Sequence, residues 1–166
     1  MRKRMRKRLV LAFLPIAVSA GTVACEGESS VVAPELEDQA ILAAMEATIQ
    51  DEFKAELIYQ NVLNDFGSVR PFVNIINAEV RHSEALARLF EARGLPVPRS
   101  QWSPEQIPGF SSIPEACGAG VVAEIENVEI YDRYVDLPLP LDVRTVFESN
   151  RRASIENHLP AFERCS

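Results

Sequence analysis

Apolar positions recur at steps of three and four along most of this chain, the spacing that lines one face of an α-helix. The first such stretch, about residues 35–65, carries Met45, Ile49, Glu52, Ala55, Tyr59, Leu63 and Phe66 on one stripe, with Gly67 placed to cap its end. The second, about 72–93, reads Phe72, Ile75, Ile76, Glu79, His82, Leu86, Leu89 and Phe90. Only Ser68 to Pro71 separate them, so these two helices are expected to be antiparallel neighbours. The third, about 114–135, turns Cys117, Val121, Glu124, Asn127, Val128 and Tyr131 inward. A second turn, Asp136-Leu137-Pro138-Leu139-Pro140, leads into the fourth, with Asp142 as its expected N-cap. That helix points Phe147, Ser154, Ile155, His158, Phe162 and Cys165 inward, and Pro160 should bend it.

Between the pairs, Gly94 to Ser112 keeps no helical period and holds Pro96, Pro98, Pro104 and Pro108. It reads as a crossover, anchored on the bundle by Trp102 and Phe110. Hairpin, long crossover, hairpin is the order of an all-α four-helix bundle with one crossover connection, here over residues 36–166. There is no Gly-rich phosphate loop, no Cys-x-x-Cys pair and no solenoid repeat.

The first 25 residues stand apart. Arg2, Lys3, Arg4, Arg6, Lys7 and Arg8 precede an apolar run from Leu9 to Ala20 that is too short to span a bilayer. This is the pattern of a secretory signal peptide. Val18-Ser19-Ala20 suits ordinary cleavage, whereas Thr22-Val23-Ala24-Cys25 is similar to a loose bacterial lipobox that would leave Cys25 acylated. The polar residues 26–35 then serve as a tether. Both alternatives place the protein in the cell envelope or outside it, as a membrane-anchored lipoprotein or a secreted protein. With Cys25 lipidated, Cys117 and Cys165 remain to pair in an oxidising compartment. Cys117 lies seven residues before Glu124 and Cys165 seven after His158, so antiparallel helices would bring the two sulfurs to one bundle end.

Removing the leader changes the charge. The full chain carries −7, but all six leader charges are basic, which leaves 24 acidic against 11 basic side chains. No basic patch for nucleic acid survives that balance. Glu126, Glu129 and Asp132 read as a solvated face.

Candidate chemistry lies on the apolar faces. Glu79 and His82 occupy positions where the pattern calls for core side chains, and a buried charge must be paired or bound to metal. Glu52 and Tyr59 on the first helix are matched by Glu124 and Tyr131 on the third, each tyrosine seven residues beyond its glutamate. A carboxylate of the opposite half is the natural partner for each buried hydroxyl. The chain's two histidines, His82 and His158, both fall on inward faces of the second helix of a hairpin. Iron, manganese and zinc all accept such ligation.

Glu52-x-x-Ala55-x-x-x-Tyr59, Glu79-x-x-His82, Glu124 with Tyr131, and His158 resemble the ferritin-like superfamily, in the style of rubrerythrins. The segments Phe72 through His82 and Asn157 through Phe162 resemble a bacterial ferritin-like family of unknown function. The resemblance covers about residues 36–165 and implies a dinuclear carboxylate site at the bundle centre. It implies that Glu52 and His82 serve one metal, Glu124 and His158 the other, and that Glu79 bridges them. The implied cofactor is iron, two ions for an intact site and one for a partial one, with manganese and zinc as alternatives. The implied activity is that of a ferroxidase- or peroxidase-like oxidoreductase, with Tyr59 and Tyr131 supporting the ligands and an electron donor supplied from outside. The pattern departs from the family three residues before His158, where a second bridging carboxylate is expected and Ile155 stands. A degenerate bundle that binds one metal or none, with a structural or interaction role, is the competing expectation. A homodimer is compatible with either.

Overall fold

A computed structural model describes residues 32–107 and 109–166, with side chains from residue 38 onward. The expected leader, the expected lipidation site Cys25 and residues 26–31 of the expected tether lie outside the described residues. The fold is all-α: helices α1 (Val32–Phe66), α2 (Phe72–Ala92), α3 (Ile113–Asp132) and α4 (Leu141–Ala153). The fourth helix continues through a wide π turn, Ser154–His158, into α5 (Leu159–Glu163). Since α1 begins at Val32, the last residues assigned to the tether are helical. None of the described helices is long and apolar enough to cross a membrane.

The connections follow local chemistry. Gly67 adopts φ 78° and Gly94 φ 66°, left-handed values that end α1 and α2 without Cβ strain. Ser112 caps α3 by accepting from the Glu115 backbone N–H. Asp142, expected as an N-cap, lies instead within the first turn of α4, after Pro140, and ion-pairs with Arg93 at 2.9 Å. Proline with an extended backbone can enter a helix without a side-chain cap, which frees Asp142 to tie α4 to the end of α2.

α1 packs along α2 and against α3, α2 against α4, and α3 against α5. Two apolar layers result. One gathers Met45, Ile49, Leu86, Phe90, Tyr131, Val143 and Phe147; the other gathers Tyr59, Val62, Phe72, Ile75, Ala116 and Phe162. The second is tight enough that a Cβ on Gly120 would sit 2.6 Å from the Phe162 ring. Cys117 and Cys165 are joined in a disulfide there, Cα atoms 5.7 Å apart. The crossover lies along α1: Trp102 Nε1 donates to the Gln50 carbonyl at 2.9 Å, Lys54 Nζ stands 5.5 Å over the indole, and Phe110 packs on the second layer.

Candidate metal centre

Between the two apolar layers the helices set a charged one. The inward stripes bring Glu52 from α1, Glu79 and His82 from α2, Glu124 from α3 and His158 from the π turn together. The three carboxylates are 0–2% exposed and His158 is 4% exposed. Glu79 lies in the middle: its Oε2 is 3.0 Å from His82 Nδ1 and its Oε1 is 2.9 Å from His158 Nδ1. Glu52 Oε2 completes one side at 3.4 Å from His82 Nδ1, and Glu124 Oε2 the other at 3.3 Å from His158 Nδ1.

These residues form two overlapping groups, Glu52–Glu79–His82 and Glu79–Glu124–His158, each with one donor atom per residue lying within 4.8 Å of the others. Glu79 belongs to both. Glu52 Oε2, Glu79 Oε1 and His158 Nδ1 are buried without a hydrogen-bond partner. Glu79 Oε1 and His158 Nδ1 are therefore close without being aligned as donor and acceptor. Orphaned buried polar atoms are costly, and charged ones more so. Carboxylate oxygen and imidazole nitrogen converging in this way suit a divalent first-row cation. The donor set fits a metal.

The far oxygens of two glutamates are held by tyrosines from the opposite hairpin. Tyr59 donates to Glu124 Oε1 at 2.6 Å, and Tyr131 donates to Glu52 Oε1 at 2.5 Å. Burial, with the nearby carboxylates, pushes both phenols well above their ordinary range, so they remain donors. Asn127 Nδ2 donates to Glu52 Oε1 at 3.3 Å and to Asp51 Oδ2 at 2.9 Å. Asn150 Nδ2 donates to the Tyr131 hydroxyl at 3.1 Å.

The electrostatics of the metal-free protein follow from this crowding. Burial raises Glu52, and the His82 imidazole 3.4 Å away only partly offsets it. Burial also acts upward on Glu79, but the contacts with His158 and His82 outweigh it and hold the carboxyl low. Burial lowers both imidazoles, yet their carboxylate partners win: His82 is lifted to about 9 and His158 to about 10. Asp51, half-buried beside Glu52, is pushed up to about 7 by its partial burial.

The fourth helix departs from the sequence expectation. Ile155 does not point inward: it is 37% exposed, while Ser154 is buried. The cause is the π turn, in which the Leu159 N–H bonds to the Ser154 carbonyl, five residues back. Pro160 has no N–H for the Glu156 carbonyl and its ring crowds that turn, so a wider turn relieves both. The bend expected at Pro160 takes the form of a register shift just before it. It places Ser154 where the two-fold pattern calls for a fourth carboxylate, and the Ser154 hydroxyl donates to Asn127 Oδ1 at 2.8 Å.

Glu126 and Asp132 face solvent, as expected, and pair with Lys54 at 3.2 Å and Arg151 at 2.6 Å. Asp51 and Asn150 are the polar neighbours that sequence reading missed; Ser154 was placed inward, as it is, but without its bond to Asn127. Asn150 sits four residues before Ser154 and three after Phe147 on the inward stripe, and that spacing could have found it. Comparison with known proteins returns no matching family model, curated protein or solved structure. The bundle is therefore described by its own chemistry, as an all-helical chain with carboxylate and imidazole groups able to hold metal beside a bridged cysteine pair.

Proposed function

We propose that this chain is a ferritin-like dinuclear metal protein of the bacterial cell envelope, exported by its leader and held by lipid at Cys25. Glu52 and His82 would hold one ion, Glu124 and His158 the second, and Glu79 would bridge them. The observation that carries the reading is the pair of three-donor groups sharing Glu79, with orphaned buried donor atoms facing one another. The two ions would take the place of the imidazole protons that pair with these three carboxylates in the metal-free protein, leaving one net positive charge. Iron is the ion proposed, and when bound it would supply one-electron redox chemistry.

The protein's own residues have distinct work. Tyr59 and Tyr131 fix the rotamers of Glu124 and Glu52, leaving one oxygen of each free for metal. Asn127 and Asn150 hold that frame. The apolar layers on either side limit water. No carboxylate stands at Ser154, so any further ligand on that side would come from outside the chain.

The test is anaerobic loading with Fe(II) followed by oxygen or peroxide. A near-ultraviolet charge-transfer band with consumption of the oxidant supports an oxidoreductase. Metal retained without oxidant consumption leaves a binding protein. The serine in place of a fourth carboxylate favours a second reading, a bundle that binds one metal or none and serves as a structural module. Failure of the wild type to retain any metal would select it.

A further inference from the structure

The metal reading leaves one edge of each histidine unaccounted for. Every described polar contact of His82 and His158 at the centre runs through Nδ1. Nε2 lies on the other side of each ring. The rings are stacked with centroids 5.5 Å apart and planes at 25°. Both line a groove of about 400 Å³ between α2 and the π turn, with Asn74, Arg81, Asn157 and Ala161. Imidazole committed to metal through Nδ1 carries its proton on Nε2, and that N–H calls for an acceptor that fixes the ring and raises its basicity. Here the acceptor must come from the groove.

We infer that this groove binds a small oxyanion, which accepts from His82 Nε2–H and His158 Nε2–H and is met at the rim by the Arg81 guanidinium. Arg81 is exposed, and the amides of Asn74 and Asn157 add neutral donors on either side. Among the described residues, no carboxylate lines the groove to repel an anion. Metal loading favours occupancy by reversing the net charge behind the rings, from three carboxylates against two imidazolium groups to three carboxylates against two divalent ions. By reciprocity the anion tightens metal binding by the same factor. The inference rests on the metal reading and adds a ligand to it.

The experiment uses Zn(II), which is redox-inert, and sulfate as the probe, with zinc counted in every sample. Sulfate should bind the zinc-loaded protein, shift the Nε2–H proton resonances of both histidines and tighten zinc binding. Arg81→Ala should weaken sulfate about tenfold, which corresponds to roughly 1.4 kcal/mol. Arg88→Ala, on the same helix but outside the groove, should leave sulfate affinity unchanged. Zinc-loaded protein whose Nε2–H resonances ignore sulfate would overturn the anion site and leave the metal site standing. Equal sulfate binding by metal-free protein would also overturn it, by reducing the effect to general attraction to Arg81. If the protein takes up no zinc, both readings fall together.

Discussion

Removing the Cys117–Cys165 bridge should cost about as much as truncating a large core side chain. The bridge closes a loop of 48 residues, and the chain-entropy relation gives about 4 kcal/mol for that length. Domains of this size have about 5–15 kcal/mol in total, so much of the margin would go. With a urea slope of about 2 kcal/mol/M, the unfolding midpoint should fall by about 2 M. The effect should reach the site, because α5 and the π turn hold His158, and Cys165 fixes their far end to α3. The assay is urea unfolding followed by far-ultraviolet circular dichroism, on Cys117→Ser/Cys165→Ser and on reduced wild type. Reduction separates loss of the bridge from the burial of new hydroxyls. A loss below about 1 kcal/mol in both would refute the reasoning, as would two titratable thiols at Cys117 and Cys165 in protein purified without reductant.

Gly120→Ala should destabilise by about 1–3 kcal/mol, because its Cβ meets the Phe162 ring at 2.6 Å and that ring is boxed in by Tyr59 and Phe72; thermal unfolding reads it. Tyr131→Phe removes the donor to Glu52 Oε1 and should cost about 1.5–3 kcal/mol as a charge-assisted bond, with Tyr59→Phe similar at Glu124. In the metal-free protein, His82 and His158 titrate near 9 and 10 instead of 6.5. A raised basic group stabilises fully below its unfolded value and loses that contribution as pH rises through the folded one. The melting temperature should therefore fall between about pH 7 and 10, and His82→Ala should flatten part of that slope. A metal-free melting temperature that rises over this interval would contradict the ion pairing.

Much of the site could be read from the sequence because helical periodicity fixes which residues share a face. Glu52, Glu79, Glu124 and His158 stood at core positions of strong stripes, and the structure buries all four. Tyr59 and Tyr131 reach carboxylates of the opposite hairpin, as the matched spacing suggested. The error at Ile155 came from carrying the 3.6-residue period through a segment that does not keep it. One wide turn rotates every following residue, and sequence shows only its cause, Pro160. Asp51 escaped notice because it lies beside the stripe; it is drawn in by Asn127 from another helix, a contact that no single-helix pattern contains.

The central claim is that two metal ions share Glu79, and counting bound metal tests it most directly. Protein loaded anaerobically with Fe(II) and desalted should retain two ions per chain, and Glu79→Ala should retain at most one. Retention of no metal by wild type, or equal retention by wild type and Glu79→Ala, would contradict the account.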